Sequence, residues 1–139
     1  MPSDWYENLS RKKCPVKVDW PMKAGFRTSG DLFGVMNDTK WEELRLAMYG
    51  LADQSPQFQV MDVERGHLSA WDGDWYHHFR LPVESYSKIE WCDLRVRSES
   101  HRHAVLEALV AIHLPGKHTT ERFRIYGWVR SGEHVSYIE

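Results

Sequence analysis

Residues 39–60 decide the fold class of this chain, and their sequence is TKWEELRLAMYGLADQSPQFQV. In the first half, apolar residues recur at helical spacing, at Trp41, Leu44, Met48 and Leu51. In the second half, Phe58 and Val60 alternate with polar residues, as in a strand with one buried face. This change of period predicts a helix followed by a strand, and with further hairpins downstream it indicates an α+β fold.

Two helices are predicted, and polar residues mark where each begins. Thr39 and Glu42 fit a capping box, in which the threonine caps the first helix and the glutamate reaches back to it. Ser100 is expected to cap a second helix over residues 101–113. The apolar stripe of this second helix consists of Val105, Ala108, Leu109 and Ile112. Each helix therefore has one face that a sheet must cover.

Strands are predicted wherever apolar and polar residues alternate between turn residues. They are expected at residues 58–60, 67–71, 75–80, 88–96, 122–129 and 134–138. Asp72 and Gly73 form a typical hairpin turn, and a change of phase within residues 88–96 predicts a bulge near Cys92 or Asp93. We therefore expect an antiparallel sheet of five to seven strands in hairpins, with two main helices packed on one face.

The length of 139 residues suits one domain with one core. Residues 1–36 lack a long periodic pattern and are predicted to form an N-terminal arm packed on the body, whereas residues 37–139 form a single α+β domain. Within the arm we expect a short helix at residues 4–12 and a strand at residues 15–20.

Charge and hydropathy limit the classes of partner and compartment. The formal net charge is -2, which argues against a general binder of nucleic acid. No apolar run approaches the roughly 18 residues that a membrane span needs, and the first residues lack the apolar core of a secretory signal. The two cysteines, Cys14 and Cys92, are far apart and outside any paired motif. We predict a cytoplasmic protein with reduced thiols and no membrane partner.

The chain contains no sequence motif of a known catalytic or cofactor site, so we predict no catalytic residue, no cofactor and no metal. His77 and His78 are adjacent on a predicted strand and should point to opposite faces, which disfavours chelation of one ion. The alternative is a small metal-dependent hydrolase that uses His77 or His78 with Asp74 or Glu90. Asp72 and Asp74 are explained more simply as turn residues.

Seven tryptophans are many for a domain of this size, and some should reach the surface. Tryptophan and tyrosine often anchor protein interfaces, although each tryptophan can equally fill the core, Trp41 and Trp91 above all. Acidic residues beside exposed aromatic residues would suit a basic partner. The predicted partner-binding residues are therefore Asp72, Asp74, Trp75, Tyr76, Glu84 and Glu90.

Four segments together resemble a family of small bacterial proteins without a characterised function. They are residues 36–45 with an N-x-T-K-W opening, residues 71–79 with a W-D-G-x-W hairpin, and residues 89–91 and 123–127. The likeness covers about residues 36–138. Proteins of this family resemble the immunity proteins of bacterial polymorphic toxin systems. Such a resemblance implies a small cytoplasmic α+β domain that binds and blocks one toxin, and it implies no catalytic residue.

We therefore expect a non-catalytic immunity protein that occludes the active site of a cognate protein toxin. It would act as a monomer or homodimer and would need neither a cofactor nor nucleic acid. The hydrolase described above and a self-associating structural module are the alternatives.

Overall fold

The structure is a computed structural model that describes residues 32–79, 83 and 85–139. The expected helix at residues 4–12, the expected strand at residues 15–20 and Glu84 lie outside the described residues. In chain order the elements are β1 (Leu32–Gly34), α1 (Asp38–Gly50), β2 (Gln57–Asp62), β3 (Ile89–Arg95), α2 (Glu99–Ile112), β4 (Gly116–His118), β5 (Arg122–Tyr126) and β6 (Trp128–Arg130). Within this described part, no helix is long and apolar enough to cross a bilayer.

The two helices and the sheets confirm the predicted α+β class. Strands β2, β3, β5 and β4 form, in that order, a four-stranded antiparallel sheet, and β1 pairs with β6 in a second antiparallel sheet. The helices contribute Trp41, Leu44, Met48, Val105 and Leu109 to the core. The strands contribute Phe58, Val60, Ile89, Cys92, Leu94, Phe123 and Ile125. The helices therefore cover one face of the larger sheet, as their apolar stripes require.

Both predicted helix caps are wrong by two residues. Helix α1 is capped by Asn37, whose side chain accepts a 2.8 Å hydrogen bond from the Lys40 amide. Helix α2 is capped by Ser98, which accepts from the His101 amide at 3.1 Å. Asparagine and serine are stronger caps than threonine, which favours Asn37 over Thr39, but nothing in residue type distinguishes Ser98 from Ser100.

The predicted bulge lies in the expected strand, but two to three residues earlier than Cys92 or Asp93. The register shifts between Met61 and Asp62, which pair with Trp91 and Ile89, so that Glu90 is the extra residue on β3. Beyond the bulge, Cys92 and Leu94 point into the core. Trp91 is buried, but on the other face, because successive strand residues alternate.

The predicted strand at residues 67–71 is not a regular strand, and neither are the described residues 75–79 of the strand predicted at residues 75–80. Residues 67–72 run along the outer edge of β2, held by isolated bridges such as Phe58 to Asp72 and by a 2.9 Å hydrogen bond from the Ser69 amide to the Val60 oxygen. Residues 75–77 form a turn. Gly73 does not adopt a positive φ, so the expected hairpin turn is absent at this position.

The predicted strand at residues 122–129 breaks at Gly127, and β6 leaves the main sheet to pair with β1. A Cβ on Gly127 would lie 2.1 Å from the Ile89 oxygen, so only glycine fits this crossing. Residues 134–138 contribute only a bridge from Tyr137 to Pro115 instead of a hairpin strand. The short strand β4 was not predicted.

Candidate functional site

The candidate site is the turn formed by residues 72–78, which two buried aromatic residues anchor from below. Trp75 is 2% exposed, and its indole N–H donates to the Pro56 oxygen at 2.7 Å. Phe79 follows four residues later, and its ring centroid lies 4.6 Å from that of Trp75. With Trp75 and Phe79 facing inward, residues between them at the tip of the turn face solvent.

Two carboxylates organise the backbone of this turn. Asp74 accepts hydrogen bonds from the amides of Tyr76 and His77, at 3.0 and 2.8 Å, and Asp72 accepts from the Asp74 amide at 2.8 Å. The amide of His77 is the main reason why the pKa of Asp74 is lowered, and the nearby imidazole of His78 adds to the effect. The backbone amides therefore favour the charged form of Asp74 and hold its carboxylate in place.

The same turn brings the two histidines to the carboxylates. His77 Nδ1 lies 3.4 Å from Asp74, and His78 Nδ1 lies 3.3 Å from Asp72 and 3.7 Å from Asp74. The expectation that His77 and His78 point to opposite faces fails because they lie in a turn, not in a strand. Nevertheless, nowhere in the described residues do three or more His, Cys, Asp or Glu side chains form a group that could hold a metal ion.

An exposed aromatic patch lies beside these charges. The ring of Tyr76, which is 56% exposed, lies 5.4 Å from the ring of Tyr49 on α1, which is 54% exposed. The Arg45 guanidinium lies 5.5 Å from the centre of the Tyr76 ring. Arg45 is itself held by an ion pair with Glu42, which raises the pKa of the arginine, and Glu42 accepts from the Tyr86 hydroxyl at 2.6 Å. The turn and the outer side of α1 therefore form one surface.

The structure assembles part of the predicted binding set. Asp72, Asp74 and Tyr76 lie together at the surface, whereas Trp75 belongs to the core and Glu84 lies outside the described residues. Glu90 lies elsewhere: Asp72 bridges to Phe58, which pairs with Leu94, and Glu90 is four strand residues further along. At 3.3 Å per residue, this separation is about 13 Å.

Tyr49 is the surface residue that the sequence reasoning missed. Trp41, Leu44 and Met48 define the buried stripe of α1, and Tyr49 follows one residue after Met48, so its position on a helical wheel is off the stripe. A large aromatic residue at such a position is a signal for an exposed contact. That Tyr49 would meet Tyr76 could not be predicted, because the two are far apart in sequence.

Two other potentially reactive side chains, those of His101 and Cys92, have structural roles. His101 is 2% exposed; its Nδ1 accepts from the Arg97 amide at 3.0 Å, and its Nε2 donates to the Gln54 oxygen at 2.7 Å, which together require the neutral ring. Cys92 is a free, fully buried thiol, and burial raises its pKa well above the usual value. Both side chains are therefore enclosed in the fold, where solvent and ligands do not reach them.

Comparison with known proteins gives one family match. The model of a family described as a family of unknown function (DUF6678) matches residues 24–132 of this chain. No curated protein and no solved structure matches the chain significantly.

Proposed function

This chain belongs to the family of unknown function DUF6678, and we propose that it is a non-catalytic binding protein of the immunity type. In this proposal it neutralises a cognate bacterial toxin by covering the toxin's active site, in the cytoplasm, as a monomer or homodimer. The binding surface consists of Asp72, Asp74, Tyr76 and, added from α1, Tyr49.

The observation that carries the proposal is the pair of exposed tyrosine rings on a preorganised turn. Tyr76 and Tyr49 are each more than half exposed and lie 5.4 Å apart. Trp75 and Phe79 anchor the turn in the core, and Asp74 caps it through two backbone amides. A tyrosine that is already held in place loses little side-chain entropy on binding, so it is well suited to be an interface hot spot.

The two carboxylates of the turn favour a basic partner. Asp72 and Asp74 are both partly exposed, and the backbone amides that lower the pKa of Asp74 favour its charged form. Such carboxylates attract a positively charged surface and increase the rate of association. A toxin with a cationic active site, such as one that acts on a polyanion, has the complementary charge.

The first test is neutralisation of the protein encoded by the neighbouring gene, because immunity genes lie beside toxin genes. The neighbouring protein is expressed in bacteria with and without this chain, and growth is measured. Binding of the two purified proteins is then measured by titration calorimetry. We expect restored growth and a stoichiometric complex.

Single substitutions test whether Tyr76 and Asp72 belong to the toxin-binding surface. Tyr76→Ala should raise the Kd about 30-fold, because an interface hot spot contributes about 2 kcal/mol. Phe33→Ala is the matched control, since Phe33 is an aromatic residue of equal exposure, 57% against 56%. Asp72→Asn retains an acceptor for the Asp74 amide but removes the charge, so it should slow association mainly at low salt. If growth is not restored, the immunity function is contradicted. Equal Kd values for Tyr76→Ala and Phe33→Ala contradict the assignment of the binding surface to Tyr76.

A further inference from the structure

A second candidate site lies on the outer face of the larger sheet, the face that points away from the two helices. Pairing places Gln57 on β2, Arg95 on β3 and Arg122 on β5 side by side in one cross-strand row. Their sequence neighbours Phe58, Leu94 and Phe123 point into the core, so the row itself points outward. We call these three residues, together with Trp71, the arginine row.

Trp71 holds the two arginines of the row. The Arg95 guanidinium lies 4.3 Å from the centre of a Trp71 ring, and the Arg122 guanidinium lies 5.4 Å from it. Arg95 Nε also donates to the Gln57 side-chain oxygen at 2.8 Å. Stacking on an indole and one hydrogen bond restrict the rotamers of Arg95 while its remaining N–H groups stay available.

The row has an excess of positive charge. In the adjacent row, Asp93 is fully buried and accepts from Arg124 at 2.7 and 3.0 Å and from Arg122 at 3.2 Å. The guanidiniums of Arg124 and Arg122 therefore share one carboxylate, and Arg95, which bonds to Gln57 instead, is the direct cross-strand neighbour of Arg122. Two like charges in this position repel each other, so an added anion between them is stabilised.

We propose that the arginine row binds a carboxylate side chain of an acidic segment of a partner protein. Guanidinium edges bind a planar carboxylate with two parallel hydrogen bonds, and the pair of arginines offers such edges at a fixed place. The row holds only two accessible cations and lies on a chain of net charge -2, whereas a nucleic acid backbone requires a series of cations. The row adjoins the turn of residues 72–78, because Trp71 precedes Asp72 and a Cβ on Gly73 would lie 4.0 Å from the Gln57 side chain, but the proposal does not depend on the immunity function.

The proposal is tested by NMR titration of the isotope-labelled full chain with hexaglutamate at low salt, with hexaglutamine as the uncharged control. We expect hexaglutamate alone to shift the Trp71 indole N–H signal and the Nε–H signals of Arg95 and Arg122. The double variant Arg95→Gln, Arg122→Gln should raise the Kd about tenfold, since each exposed ion pair contributes modestly. Arg95→Gln alone, at an exposed position, replaces the double variant if the latter does not fold.

Arg65→Gln is the matched control, because it removes the same charge from an exposed side chain elsewhere, beside Asp62 at 3.6 Å. It should bind hexaglutamate like the unmodified chain. Hexaglutamate that leaves these three signals in place, or an unchanged Kd in the arginine variants, overturns the proposal. If hexauridylate shifts the same signals at lower concentration than hexaglutamate, the site prefers a phosphate backbone and the assignment to an acidic protein segment is wrong.

Discussion

Replacing Asp93 by alanine is expected to be among the most destabilising single changes in the described structure. Asp93 is 0% exposed and Arg124 is 1% exposed, and two short hydrogen bonds join them. Asp93→Ala removes the carboxylate from a buried guanidinium, which costs about 3–5 kcal/mol. With an m-value of about 2 kcal/mol/M for a chain of this size, the urea midpoint should fall by about 2 M.

Substitutions of the arginines that contact Asp93 distinguish the cost of an unpaired buried charge from a simple loss of packing. Arg122 is 28% exposed, so Arg122→Gln should cost only about 1 kcal/mol. The double variant Asp93→Val, Arg124→Met removes both buried charges and should be more stable than Asp93→Ala alone. Equilibrium urea unfolding followed by circular dichroism measures all three. A loss below about 1 kcal/mol for Asp93→Ala, or a double variant as unstable as the single one, would refute the argument from buried charge.

Three further predictions concern the turn, the strand crossing and the histidines. Because the folded pKa of Asp74 lies below its unfolded value, its contribution to stability should be complete above the unfolded pKa and lost as the pH falls through the folded pKa. The difference in unfolding free energy between the unmodified chain and Asp74→Ala, measured at several pH values, should therefore shrink in acid. A difference that stays constant with pH would contradict the charge effect. Gly127→Ala should destabilise the fold by about 2–3 kcal/mol, because its Cβ would meet a main-chain oxygen at 2.1 Å, whereas Gly50→Ala, with open space around it, should be close to neutral in the same unfolding assay. Purified protein should contain no stoichiometric metal by elemental analysis, and zinc or manganese that disappears in His77→Asn and His78→Asn variants would favour the metal-dependent hydrolase.

The helices and the core strands could be predicted because their apolar periods are long. Trp41, Leu44 and Met48, and likewise Val105 and Leu109, are buried where the period places them. The sequence also predicted a phase change in β3, but not its position. A bulge lies where the pairing register with the partner strand changes, here opposite Met61 and Asp62, and that register is not a property of β3 alone.

The sequence of residues 72–78 does not distinguish a turn from a strand, because its aromatic residues suit both. Trp75 and Phe79 are four residues apart, which is also the spacing of one helical turn, and Asp74 precedes the amides that it caps. Acidic side chains that bond their own backbone compete with strand pairing, and the buried contact of Trp75 with Phe58 favours the turn.

By itself the sequence determined the buried stripes of the two helices, the number of main helices and the position of a charged, aromatic segment near Tyr76, because these follow from local period and composition. Only the tertiary structure decided that Tyr49 meets Tyr76 and that Gln57, Arg95 and Arg122 form one row. Local preferences differ by about 1 kcal/mol or less, whereas strand register depends on pairing and burial between residues far apart in the chain. Contacts of that kind leave no local pattern.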